Sequence, residues 1–149
     1  MAAEKPCPAI FVTGTDTGVG KTLVTAALAR HFTSQGLKVG VMKPIETGVI
    51  NPAELGADAR LLSWAADATD DAELISPYRY ALPLAPCQAA TAAKAQINVD
   101  TIVKAYQTLR QSKDIVLVEG AGGLMVPIRG GYIMADLARQ LEMPLLVVT

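Results

Sequence analysis

Gly14-Thr15-Asp16-Thr17-Gly18-Val19-Gly20-Lys21-Thr22 is the stretch whose neighbours decide the fold. Before it stands Ala9-Ile10-Phe11-Val12, a short apolar run with no polar alternation, the pattern of a strand buried on both faces of a parallel sheet. After it, a mostly apolar segment runs from Thr22 to Phe32. Leu23, Ala26, Ala27 and Arg30 fall at helical spacing there, and Val24 and Leu28 make the other faces apolar too. This predicts a largely buried helix, ended by Gly36. Lys38-Val39-Gly40-Val41-Met42 reads as a second strand. Strand, glycine-rich loop, helix and strand make one βαβ unit, for which a right-handed crossover is expected.

The loop is a variant of the phosphate-binding pattern G-x-x-x-x-G-K-S/T. Gly20, Lys21 and Thr22 match it, whereas the first glycine stands at Gly14, one position ahead of the patterned place at Thr15. Gly18 and Gly20 allow backbone N–H groups to turn toward phosphate oxygens. The loop feeds a helix N-terminus, where unpaired N–H groups and the helix dipole attract anions. Lys21 adds positive charge toward β- and γ-phosphates, and the Thr22 hydroxyl can ligate Mg²⁺.

Further along, Pro44, Gly48, Pro52 and Gly56 mark residues 44–57 as loop. A helix is expected from Asp58 to Ala66, with Leu61, Leu62 and Ala65 inward. Pro77, Pro83 and Pro86 make residues 76–86 irregular. Val99, Ile102, Val103, Tyr106 and Leu109 repeat at amphipathic-helix spacing, with Asn98 or Asp100 as the cap. Ile115-Val116-Leu117-Val118 is a third buried strand, ending in Glu119. Met134, Leu137, Ala138 and Leu141 form another helical stripe, and Pro144 opens a last strand, Leu145 to Val148. The class is α/β: a mostly parallel sheet with helices on both faces, of the phosphate-loop NTPase type. There is no internal repeat and no linker, so residues 1–149 read as one domain. The chain stops where a strand should hand over to a site-bearing loop, so it is expected to be incomplete at its C-terminal side.

Composition excludes several classes. Among 149 residues, 13 Lys and Arg face 14 Asp and Glu, and the formal charge is −1. No positive field holds a nucleic-acid backbone. Hydrophobic residues make up 51% and charged residues 18%, which disfavours disorder. Cys7, Cys87 and His31 cannot supply four zinc ligands, and the two thiols are expected reduced, in the cytosol. The N-terminus has no apolar signal core, and no apolar run is long enough to cross a membrane.

Other chemical candidates divide by position. Glu119 stands at a strand end, where nucleotide hydrolases hold a Mg²⁺ ligand, usually Asp; the alternative is a carboxylate facing water. Lys43 closes the second strand and could stabilise a transferring phosphoryl group, though on spacing alone a solvated strand-end lysine is favoured. Asp58 is a helix cap or a second Mg²⁺ ligand, and spacing favours the cap. His31 reads as a surface residue near a helix end, Trp64 as packing, Cys87 as a loop residue with no nearby base, and Asp16 as a turn-ordering carboxylate.

Three segments occur in order: Gly14–Thr22, Lys43-Pro44-Ile45-Glu46-Thr47-Gly48, and Val118-Glu119-Gly120-Ala121-Gly122-Gly123. Together they closely resemble the dethiobiotin synthetase family, as do Ser76-Pro77-Tyr78 and Pro83–Pro86, and the resemblance runs from about Ile10 to Thr149. It implies an ATP- and Mg²⁺-dependent ligase that closes a cyclic urea from 7,8-diaminononanoate and CO₂, through a carbamate and its phosphorylated anhydride. It implies that Gly14, Thr15, Asp16, Thr17, Gly18, Val19, Gly20, Lys21 and Thr22 bind ATP, together with Asp58 and Glu119. Thr22, Asp58 and Glu119 correspond to Mg²⁺ ligands. Lys21, Lys43 and Thr17 correspond to catalytic positions, and Lys43 and Thr47 to substrate contacts. Some members carry an acidic residue where this chain has Gly18. Such enzymes are cytoplasmic homodimers with small-molecule substrates, without nucleic-acid or membrane partners. Their chains run on well past residue 149, with an adenine-reading loop and a helix that receives the diamine carboxylate across the dimer interface.

Two other classes leave marks that are missing here. A partitioning-type ATPase carries a second lysine inside the loop, and none lies between Gly14 and Gly20. A related amide-forming synthetase needs a glutaminase domain with its Cys/His pair. A noncatalytic regulatory domain of this fold would not need Lys21, Thr22 and Glu119 together.

Overall fold

A computed structural model describes residues 7–149. The reading of the extreme N-terminus falls largely on residues 1–6, outside the described residues. The elements run β1 (Ala9–Gly14), α1 (Lys21–Ser34), β2 (Val39–Met42), β3 (Ile45–Thr47), α2 (Ala57–Ala65), α3 (Ala72–Ile75) and β4 (Tyr78–Tyr80). They continue with α4 (Pro86–Ala92), α5 (Val99–Arg110), β5 (Ile115–Gly123), β6 (Pro127–Arg129), β7 (Tyr132–Ile133), α6 (Met134–Gln140) and β8 (Leu145–Val148). Four strands form a parallel sheet in the order β2-β5-β1-β8. The first βαβ unit is therefore split, because β5 lies between β1 and β2.

Alternation along β5 divides the core in two. Ile115 and Leu117 enter one cluster with Ala26 and Ala29 of α1, Val39 and Val41 of β2, and Leu62 and Ala65 of α2. Val116 and Val118 enter the other, with Ile102 and Leu109 of α5 and Met134 and Leu137 of α6. Helices thus cover both faces, as a parallel sheet requires. The same period of two sends Glu119, and Lys43 just beyond β2, toward the α1–α2 face. That register is what assembles the site. Leu62 is fully buried between α2 and the sheet, so Leu62→Ala should cost about 2–5 kcal/mol. A lowered denaturant midpoint with an unchanged slope is the expected readout.

Several sequence expectations need correction. Only Lys21, Thr25, Ala26 and Ala29 of α1 are buried, and Leu23 is 70% exposed, so α1 is a one-faced helix. Residues 44–57 contain β3, which pairs in parallel with β4 inside the supposedly irregular stretch 76–86. Three-residue strands carry too few positions for a period to show. Pro86 starts α4, since proline is tolerated at the first helical turn, so Cys87 lies on a helix. Trp64 is 68% exposed instead of packed, and the Arg30 guanidinium lies 5.8 Å from its ring centroid. Asn98 caps α5, its side chain accepting from the Asp100 N–H at 3.0 Å. Cys7 and Cys87 are free thiols, and His31 is exposed near the end of α1. No described helix is long and apolar enough to cross a membrane.

Candidate active site

The loop between β1 and α1 bends as its glycines permit. Gly18 and Gly20 hold φ of 79° and 102°, a region that strains residues with a Cβ. Gly20 is the N-cap of α1, with no side-chain cap and no acidic residue in the first turn. The positive end of the helix dipole is left for an external anion. Lys21 is buried, and its Nζ donates to the Asp16 carbonyl at 2.7 Å across the loop. The Asp16 carboxylate accepts from the Thr17 N–H at 2.7 Å and so orders the turn. At Gly123 a Cβ would lie 3.2 Å from the Gly14 carbonyl oxygen, so a side chain there would crowd the loop.

Beside the loop is a buried charge junction. Glu119 is fully buried, and its Oε1 accepts from the Thr22 hydroxyl at 2.8 Å and from Lys43 Nζ at 2.6 Å. Lys43 Nζ also donates to Asp58 Oδ2 at 2.9 Å. The water-facing alternative for Glu119 and the solvated one for Lys43, which is 5% exposed, are both overturned. Asp58 is not the cap either: Gly56 holds that position, and Asp58 turns its carboxylate to Lys43.

Electrostatics sets the two lysines apart. Burial works against the Lys43 charge, but Glu119 and Asp58 outweigh it and raise its pKa above the ordinary lysine value. Burial, and then the like charge of Lys43, pull Lys21 below that value. Burial also lifts the Glu46 carboxyl, against the backbone N–H groups of Asp58 and Ala59 that hold its charge.

These groups line a cavity of about 580 Å³. Thr17, Gly18, Gly20 and Thr47 also line it, and Ile45, Pro83, Leu84, Pro86 and Val126 give it an apolar wall. Gly14, Thr15, Asp16 and Val19 are not among its lining residues; the Thr15 N–H bonds to the Val148 carbonyl at 3.1 Å. Two features escaped sequence reading. The Pro83–Pro86 wall carried only a resemblance, and Glu46 carried no role of its own, since its partners are backbone N–H groups of another element.

Glu119 Oε2 is buried without a hydrogen-bond partner. The Thr22 hydroxyl and the Asp58 carboxylate complete a set of hard oxygen donors of the kind that suits Mg²⁺. Among the described residues, no group of three or more His, Cys, Asp or Glu side chains gathers as a metal cluster. The fit therefore rests on two carboxylates and a hydroxyl.

A family model described as an AAA domain matches residues 8–149. The ATP-dependent dethiobiotin synthetase of Thermodesulfovibrio yellowstonii is 42% identical over 148 residues, covering 93% of this chain and 62% of that protein. The synthetase of an Anaeromyxobacter species is 45% identical over 139 residues, covering 93% and 61%. That of Methanocaldococcus jannaschii is 38% identical over 144 residues, covering 94% and 64%. The chain thus spans about three-fifths of the length of these curated relatives. Among solved structures, the cell division protein FtsY of Thermotoga maritima matches 98% of this chain and 44% of its own, at 17% identity and a TM-score of 0.49. With the loop, the buried junction and these matches in view, the chain belongs to the AAA domain family, and over 93% of its length it is similar to dethiobiotin synthetases.

Proposed function

We propose that this chain forms the nucleotide-binding part of a dethiobiotin synthetase, a cytosolic ligase acting as a homodimer. It closes a cyclic urea from 7,8-diaminononanoate and CO₂, with ATP as co-substrate and Mg²⁺ as its metal. The observation that carries this reading is Lys43, a buried ammonium held by Glu119 and Asp58 and lining the same cavity as Thr17, Gly18, Gly20 and Lys21 of the phosphate loop.

One substrate amine captures CO₂ as a carbamate. A carbamate oxygen attacks the γ-phosphorus, ADP departs, and a carbamic–phosphoric anhydride forms. The second amine attacks the anhydride carbon, and phosphate leaves as the ring closes. The substrate supplies both nucleophiles, so the protein positions reactants and balances charge. Loop amides and Lys21 hold the terminal phosphates. Lys43, Thr17 and Thr47 face the carbamate and γ-phosphate. Thr22, Asp58 and Glu119 would hold Mg²⁺, which neutralises phosphate charge when bound. The apolar wall of Pro83, Leu84 and Val126 suits the aliphatic chain of the diamine.

The test is ADP release by the purified full-length enzyme that carries this chain, with ATP and Mg²⁺, omitting diamine or CO₂ in turn. Release that needs both, with dethiobiotin formed, is the expected result. Release indifferent to diamine would replace the synthetase with a switch-type ATPase.

A further inference from the structure

The first turn of α2 is held by a carboxylate from another element. Its N-cap, Gly56, has no side chain to bond the free N–H groups at the helix start. Glu46 of β3 does so from across the site. Oε1 accepts from the Asp58 N–H at 2.8 Å, and Oε2 from the Ala59 N–H at 3.2 Å. Glu46 is only 5% exposed. Gly56 is shaped to this contact. Its φ of −72° suits any residue, so no left-handed turn calls for glycine there. A Cβ on Gly56 would instead lie 2.3 Å from the Glu46 carboxylate. The bare N-cap and the remote carboxylate therefore belong to one arrangement. Asp58, whose N–H Glu46 grips, is the residue whose own carboxylate bonds Lys43 at 2.9 Å.

We propose that Glu46 is a positioning residue, which caps α2 from β3 and so holds the Asp58 carboxylate on Lys43 for the reaction. This rests on the reading of the cavity as a phosphoryl-transfer site. Glu46 acts through Asp58 and touches no reacting atom. Binding two of the free backbone N–H groups of the first turn fixes where the turn begins. Without it the turn frays, and the Asp58–Lys43 contact loses its fixed length. Displacements on the order of 1 Å can cost up to about a hundredfold in rate.

The experiment compares Glu46→Ala, Glu46→Gln, Gly56→Ala, Asp58→Asn, and the doubles Glu46→Ala/Asp58→Asn and Glu46→Ala/Gly56→Ser. Each is measured for kcat, for KM of ATP, for Tm and by crystallography. Glu46→Ala should lower kcat roughly tenfold or more, with the Asp58–Lys43 contact broken. Gly56→Ala should do the same, because its methyl displaces the Glu46 carboxylate. In Glu46→Ala/Gly56→Ser the carboxylate that would crowd a side chain at position 56 is gone, and the added hydroxyl should cap the helix locally and restore both contact and rate. Glu46→Ala should add little to Asp58→Asn, since both act through one contact.

Losses that multiply in the Asp58 double would overturn the proposal, as would an intact Asp58–Lys43 contact in Glu46→Ala. So would a lower Tm with unchanged kcat, which would leave Glu46 a structural cap only. Glu46→Gln keeps one acceptor and reports the same contact should the alanine variant fold poorly. If instead the parent protein shows no ATP turnover, the phosphoryl-transfer reading fails, while the crystallographic contact still decides the positioning claim.

Discussion

Lys21→Ala should slow phosphoryl transfer about 10²–10³-fold while relieving the fold of a buried charge. Lys21 is the buried ammonium at the mouth of the phosphate loop. Removing one such charge-stabilising donor commonly costs about 10²–10³ in rate. Stability should move the other way. Burial and the nearby Lys43 pull the Lys21 pKa down, so the folded chain binds this proton less tightly than the unfolded chain. The protonated form therefore costs stability until an anion offsets it. In the parent, this contribution should make stability rise with pH between the lowered folded pKa and the unfolded value of 10.5. Single-turnover ADP release and Tm against pH check both halves. Unchanged ADP release in Lys21→Ala would remove the residue from the chemistry.

Lys43→Gln should slow the chemical step roughly 10²–10³-fold and weaken nucleotide binding much less. Carbamate and γ-phosphate are both anionic, and bringing a unit-charge pair to 4 Å costs roughly 4 kcal/mol at an effective dielectric near 20. On the proposed reaction, a second ammonium beside Lys21 would offset that cost as charge shifts during transfer. This substitution also has a stability price, unlike the first. Glu119 is fully buried and shares Lys43 with Asp58, and removing one partner of a buried pair costs about 3–5 kcal/mol. Glutamine lessens that loss, because its amide can still donate to Glu119. The folded pKa of Lys43 is raised, so its stabilisation is complete below the unfolded value of 10.5 and drains as pH rises through the folded value. Nucleotide affinity and single-turnover rate must be measured separately. Lost affinity at unchanged rate would assign Lys43 to ground-state binding, and no effect on either would return it to a structural role.

Much of the fold lies in local pattern. The loop Gly14–Thr22 sits between an apolar run and a helical period, and these alone predict β1, α1 and an anion site between them. The stripe from Val99 to Leu109 and the runs at Ile115 and Leu145 are equally local, since a buried face needs apolar residues at the period of its element. Helix α1 is less buried than its apolar composition predicts, because a residue such as Leu23 is apolar and still faces solvent.

By itself, then, the sequence determined the α/β class, the phosphate loop and the residue types available for chemistry. The tertiary structure decided which of those residues meet. Lys43 lies between β2 and β3, 15 residues before Asp58 of α2 and 76 before Glu119 of β5, and no local period relates them. They converge because β5 inserts between β1 and β2, so the period-two register aims Glu119 and Lys43 at the face that α1 and α2 cover. Glu46 was invisible for the same reason: its partners are backbone N–H groups of another element, and these carry no side-chain signature.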